Sequence, residues 1–569
     1  MTKGFMKKKY NSVFWAFLLA WIISMLGTLT DSIFAGQFIS EEAVAATELV
    51  APLLSFVNFF AILLGAGAST RYSYYAGAFD FKKAYRLSGT ALLFSLIYAA
   101  LFALFLFLFK DTYFSFFSAA PEIEALAREY YSSFYIIAVV APPGYLIYSL
   151  ACMDGDSTIV LISDALSATL NPVFSIILVQ KIGVFGLGLG TALSLALSYA
   201  VVISHFFTKR NSIHFKLCMD FKYIKESVVF GSSGALALLY TGIVDIVFNK
   251  FIIVQYGALY LSAYTIVNLI LNMAAIAKCG ADAASSFVGV GFGEKNNTAI
   301  KVALKISAKR TIIIGIIMTI IFLGLSGVFP DIYGLTTPEL REISTDSARI
   351  LSFYLLLVGF GYVWSTYLPL IGKPLLANVI SCLYTLVLPI ALGMTCGSLF
   401  GFSGMVWGLM LVSVVGLIVT VAIIWIKYGR DKVPHALNDY GNTIFMHEFS
   451  VNDEEIHELQ KILGDEMSGF GLSASLINKI QLMVEETFEI VKAENQGKKK
   501  ILADCSVIID DKYVRLITRD NGKVFDITKV GEKTESLGHY VLARMIDNLE
   551  DSAYTTSISF NRNSFVWER

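Results

Sequence analysis

The chain repeats a landmark inside its own apolar sequence. Asp31 and Asp245 each lie in a membrane-length apolar stretch, and each is followed 46 positions later by a glycine, Gly77 and Gly291. The flanks correspond loosely: VAPLLSFVNF against TIVNLILNM, then YYAGAFDFKKAYR against GVGFGEKNNTAIK. A chain that repeats its own membrane half suggests two related lobes with a transport site between them.

The rest of the composition agrees with a life in lipid. Of 569 residues, 56% are hydrophobic and 14% aromatic, more than a soluble core can use. About twelve runs reach membrane length, near 12–38, 49–75, 86–109, 130–152, 159–180, 184–207, 226–254, 259–286, 303–328, 348–371, 376–397 and 402–427. The first run is too long for a cleavable leader, and more spans follow it. Lys7–Lys9, Lys82–Arg86, the Lys209–Lys225 segment and the Lys295–Arg310 segment put basic charge on alternate loops. By the positive-inside rule those loops and both termini face the cytoplasm of a plasma (inner) membrane protein. Six spans per repeat then predict a pseudo-twofold axis along the membrane normal.

Charge also marks a boundary. Residues 443–569 hold 22 of the 45 acidic and 15 of the 44 basic residues, a net −7 against +6 for the remainder. The predicted organisation is an all-α membrane part with lobes 1–212 and 213–430, a linker 431–442, and a cytoplasmic α/β sandwich domain 443–569. The six cysteines and six histidines show no paired spacing, so neither a disulfide framework nor a metal site is read from them.

A carboxylate inside a span costs about 2.5–3.5 kcal/mol near its centre, so it needs a partner, a proton or water. Asp31 and Asp245 are candidates for cation coupling, with Asn249 one helical turn after Asp245 on the same face. A structural carboxylate that reaches the interface or caps a neighbour is the alternative for both. Lys278 and Asp282 are four apart and can pair; with Arg71 they read as gate or structural charges. Asn171 and Asn268 lie among apolar neighbours, where packing and cavity lining both fit. Trp15, Trp21 and Trp364 fit a pocket for flat cations as well as ordinary core filling.

The stretches DSIFAGQF and GAGASTRYSYYAGAFDFKKAYR resemble the first-lobe signature of the multidrug and toxic compound extrusion (MATE) family. CMDGDST is similar to that family's short polar connection between spans four and five, and GADAASSFVGVGFGEKNN echoes the first lobe. The resemblance covers roughly residues 10–430. It implies twelve helices in two six-helix lobes that export drugs or other xenobiotics by alternating access, against inward H⁺ or Na⁺. Asp31 matches the family's span-one coupling aspartate. The implied partners are membrane lipid and small cationic or amphipathic substrates, with no nucleic acid and no cofactor beyond the coupling ion.

In the tail, TIFMHEFSV reads as a strand, NDEEIHELQKILGDEM and SASLINKIQLMVEETFEIVKAEN as helices, and ADCSVIID and YVRLITRD as a hairpin. SLGHYVLARMIDNLE follows as a helix, then YTTSISF and SFVWER as strands. This order resembles the GHKL ATP-binding fold, closest to the anti-sigma-factor serine kinases. The resemblance places Asp520 on the adenine amino group, with Gly522 after it, Glu485 (or Glu486) at the catalytic Glu and Gly538 at the phosphates. It also shows departures: Glu489 stands where the family has a Mg²⁺-binding Asn, and Gly-x-Gly is reduced to Ser536-Leu537-Gly538. Both weaken phosphate cradling. The tail therefore reads as a regulatory or docking module for a cytoplasmic protein, with ATP binding left open and turnover not expected. A membrane-anchored kinase and a lipid-linked sugar flippase are the competing readings. The first is set back by the missing Asn, and the second by how few cations the spans hold.

Overall fold

The computed structural model describes residues 4–28, 30–77, 80–154, 157–208, 211, 213–495, 500–523, 548–555 and 560–569. The chain starts with α1 (Phe5–Thr28) and α2 (Thr30–Phe38), then α3 (Glu41–Val50) and α4 (Pro52–Gly77), divided where Pro52 lacks a backbone donor. Next come α5 (Phe81–Phe117), α6 (Pro121–Met153) and α7 (Ser157–Ile203). The second half follows with α8 (Phe221–Gln255), α9 (Tyr260–Met273), α10 (Cys279–Gly293) and α11 (Asn297–Leu325). A short α12 (Phe329–Ile332) leads to α13 (Pro338–Ser352), α14 (Tyr354–Leu370), α15 (Pro374–Cys382) and α16 (Thr395–Tyr428).

Eight helices among the described residues are long and apolar enough to cross a membrane, nine if the pair α13–α14, bent by 50°, is one span. Two of the eight, Ile159–Phe207 and Pro374–Tyr428, run for 49 and 55 residues. At a rise of about 1.5 Å per residue, each is more than twice as long as a hydrocarbon core of about 30 Å. Each is also broken inside, at Gly183 (φ 60°) and at Gly401 (φ 75°), where the left-handed conformation suits a residue without Cβ. Beside the first break, the Glu129 carboxylate accepts from the Phe185 N–H at 3.3 Å and satisfies a donor of the restarting helix. The separate runs expected at 159–180 and 184–207 thus meet at Gly183.

The tail has its own core. Strand β1 (Thr443–Ser450) is followed by α17 (Asp453–Ser468), capped by Asn452, and α18 (Ala474–Glu494), capped by Ser473. Then come β2 (Leu502–Ile509), β3 (Tyr513–Asp520), β4 (Leu549–Thr555) and β5 (Phe560–Glu568). All neighbours are antiparallel, in the order β1-β2-β3-β5-β4. Phe449, Cys505, Val507, Leu516 and Phe565 face Leu459, Leu463, Met483 and Phe488 of the two helices. The helix expected at 536–550 lies outside the described residues up to 547. Its last two residues, Leu549 and Glu550, instead open β4.

Candidate functional site

Asp31, in the first turn of α2, lies against α6 and both halves of α7. The Tyr130 hydroxyl donates to Asp31 Oδ2 at 2.8 Å, and the Thr191 hydroxyl to the same oxygen at 3.1 Å. Oδ1 has only longer contacts, 3.4 Å from Ser175 and 3.4 Å from Thr191. Ser175 has one proton, and its nearest acceptor is Asn171 Oδ1 at 3.0 Å. One carboxylate oxygen is therefore well held, while the other is left to a proton or a cation. Around it gather oxygen atoms suited to a hard cation: the carboxylate, the Asn171 carbonyl and three hydroxyls.

Asp245 occupies the repeat-related position on α8 in a different setting. No side-chain hydrogen bond reaches it among the described residues. It lies within electrostatic reach of Glu48 on α3, and Glu48 is only 4% exposed. Asn268 on α9 donates to Glu48 Oε1. Asn249 uses its amide N–H on the Glu48 backbone oxygen at 3.0 Å and leaves Oδ1 buried with no partner among the described residues. Asp245 and Asn249 thus share a neighbourhood through Glu48, which belongs to the other half of the chain. The sequence reading missed Glu48 because TELV sits between an acidic loop and the run begun at residue 49.

The two halves are tied on both sides of this zone. Glu41 caps the start of α13, accepting from Thr336 and from the Thr337 N–H at 2.7 Å and hydroxyl at 2.8 Å. At the other end, Arg71 on α4 pairs with Glu226 on α8 at 2.8 Å, and the Tyr75 hydroxyl donates to the same carboxylate. Between them the helices touch backbone to backbone: a Cβ on Gly67 would lie 1.8 Å from Ser227 O, and one on Gly231 would lie 2.0 Å from Leu63 O. Arg71 thus forms an inter-half ion pair, whose partner Glu226 looks in sequence like another loop charge. Lys278 and Asp282 meet through Trp21. The indole N–H donates to Asp282 at 2.9 Å, and the Lys278 ammonium lies 5.4 Å from the ring centre. Trp21 comes from α1, so the pair reaches across helices.

In the tail, Asp520 Oδ1 accepts from the Gly522 N–H at 2.8 Å and from Asn561 at 2.9 Å, closing a tight turn. Asn495 at the end of α18 accepts from Lys523 N–H at 2.8 Å, and a Cβ on Gly522 would meet its amide at 2.6 Å. Glu485 is engaged by Gln460 at 2.8 Å and lies ten residues back along α18 from Asn495, about 15 Å of helix rise. Glu489 pairs with Lys492 at 3.3 Å. The structure gathers Asp520 and Gly522 with Asn495 and Asn561 and leaves Glu485 and Glu489 apart from them. Gly538 lies outside the described residues.

The MatE family model matches residues 16–177. The multidrug export protein MepA of Staphylococcus haemolyticus is 22% identical over 441 residues, 75% of this chain and 96% of its own length. MepA of Staphylococcus aureus is 23% identical over 426 residues, 73% of this chain and 93% of its own. Among solved structures, an inward-facing multidrug resistance MATE transporter of the MOP superfamily superposes with a TM-score of 0.62 at 22% identity, covering 70% of this chain and 92% of that one. An outward-facing structure gives 0.60 at 21% identity, covering 74% and 96%. The membrane part has the MATE fold. Several of its helices are apolar and long enough to cross a membrane, and the MATE multidrug transporters it resembles are secondary transporters, not enzymes. These likenesses cover 70–75% of the chain.

Proposed function

We propose that the chain is a cation-coupled exporter of drugs or other xenobiotics, working by alternating access with Asp31 as the coupling carboxylate. The carrying observation is the oxygen cluster on Asp31, with one carboxylate oxygen held by Tyr130 and Thr191 and the other left for H⁺ or Na⁺. Asp245, facing Glu48 across the halves, is the second candidate in the coupling path. The MepA relatives, multidrug export proteins, support small drug-like substrates; their cationic or amphipathic character is part of the proposal. The bent pair α13–α14 brings the candidate spans to nine and the breaks at Gly183 and Gly401 to eleven; α1, 24 residues long, supplies the twelfth crossing of two six-helix lobes, 1–212 and 213–430. The linker 431–442 and the domain 443–569 then lie in the cytoplasm with the N-terminus. We assign the tail a regulatory role on a degenerate GHKL-like scaffold; Glu489 in place of the Mg²⁺-binding Asn speaks against ATP turnover. The test is resistance to ethidium and its efflux in an efflux-deficient host, parent against Asp31→Asn at equal expression, with pH and Na⁺ varied in turn. Undiminished export by the Asn variant would remove Asp31 from the mechanism.

A further inference from the structure

The tail sheet has two faces, and only one covers helices. On the other face the pairing register lines up a single row across four strands: Glu448 opposite Asp504, Asp504 opposite Arg519, and Arg519 opposite Arg562. The row reads acid, acid, base, base. What it meets in the membrane part is complementary at both ends. Glu448 accepts from the backbone N–H of Gly4 at 2.6 Å and of Met6 at 3.0 Å, at the positive end of α1. Glu294, in the turn between α10 and α11, is 2% exposed and receives both Arg519 and Arg562, the latter at 2.8 Å. Arg519 is shared with Asp504 at 3.1 Å, so the cluster is buried but paired. Asn296 of the same turn reaches Ser506 at 3.3 Å.

The two gripped elements belong to different halves of the chain. Helix α1 already leans on the second half through Tyr10 on Gly280 O at 2.7 Å, Asn11 on Arg310 at 2.7 Å and Trp21 on Asp282. We propose that the tail is a cytoplasmic clamp: its charged row fastens the start of α1 to the α10–α11 turn, so the cytoplasmic side opens only after the sheet releases one of them. The clamp rests on the reading of the membrane part as an alternating-access transporter. It assigns the tail a mechanical role that requires no ligand and no catalysis. Because the row lies on the face opposite the Asp520 turn, and Arg519 and Asp520 are successive residues of one strand, anything that moves that turn also moves the clamp.

The test uses the full chain with spin labels at positions 8 and 301, both exposed, in a background lacking the native cysteines. Glu448→Gln keeps the shape and removes one charge; Arg562→Gln weakens the other end. Each should raise the wide-distance population about tenfold, the size of one charge-assisted hydrogen bond, and speed ethidium efflux. Arg562→Lys, which keeps the positive charge opposite Glu294, should leave the distances near the parent's. A parental distance distribution in folded, monodisperse Glu448→Gln and Arg562→Gln would overturn the clamp. Asp31→Asn separates the two ideas: it should stop efflux while leaving the effect of Glu448→Gln on the distances in place.

Discussion

Asp31 and Asp245 each stand 46 positions before a glycine, Gly77 and Gly291, yet their surroundings share almost nothing. Asp31 is held by hydroxyls from α6 and α7, all within its own half. Asp245 has no side-chain hydrogen bond among the described residues, and the group nearest it in charge is Glu48, from the other half. A repeat fixes where a carboxylate enters the bundle, because helix length and register are inherited together. It does not fix the environment, because the neighbours are chosen by packing within each lobe. One site is built as a cage and the other as a junction.

If that contrast is functional, removing the caged carboxylate has the largest effect. Asp31→Asn should abolish ethidium efflux with insertion unchanged, since the amide keeps the shape but neither binds a cation by charge nor exchanges a proton. Asp245→Asn should slow efflux by about tenfold without abolishing it, roughly the value of one interaction in a shared network. Equal losses in the two variants would erase the distinction. Tyr130→Phe removes a single hydrogen bond to the Asp31 carboxylate, worth about 1.5–3 kcal/mol when the acceptor is charged. The initial efflux rate should fall by a factor near ten while protein level stays constant; no change would mean that the cage is only packing.

Much of the fold was legible and the site only half so, for one physical reason. Periodicity reports what a helix does along its own axis, and the apolar runs therefore fall on long helices, though their ends differ by up to ten residues, as at 348–371 against a helix pair that starts at Pro338. Asp31 stood out because a carboxylate in a span is costly. Tyr130, Ser175 and Thr191 did not, since hydroxyls in apolar helices bond to their own backbone as readily as to a ligand. Glu226 and Glu294 looked like loop charges because their partners, Arg71 and Arg519, lie 155 and 225 positions away. In the tail the strands were readable, but that Arg519 faces the membrane part while Asp520 faces α18 follows only once the sheet is docked.

A smaller version of the cage-and-junction contrast occurs in the tail. Burial pushes the Asp504 carboxyl up to about 7, against the pull of Arg519 and with Glu294 and Glu448 adding to the rise. A released tail returns this group to an ordinary carboxylate near pH 4. The docked state then holds more protons between about pH 4 and 7, so docking strengthens as pH falls through that window and weakens as pH rises toward 7. The change should be at most about tenfold in the docking equilibrium per pH unit, read from the spin-label distances at positions 8 and 301. Asp504→Asn should flatten the profile. An unchanged slope would place the proton elsewhere.

Gly67 and Gly231 give the seam between α4 and α8 a property of its own. Each glycine, one from each half, sits directly on a carbonyl of the opposing helix, so no side chain is interposed at the closest approach. Parting the halves there needs no rotamer to change, and bringing them together needs none to be found again. The seam works as a gauge block: its thickness is set by two hydrogen atoms in place of methyl groups. A single added carbon at either position would hold the halves ajar at a point remote from both carboxylates, and would alter the balance of conformations without touching a coupling ion or a substrate.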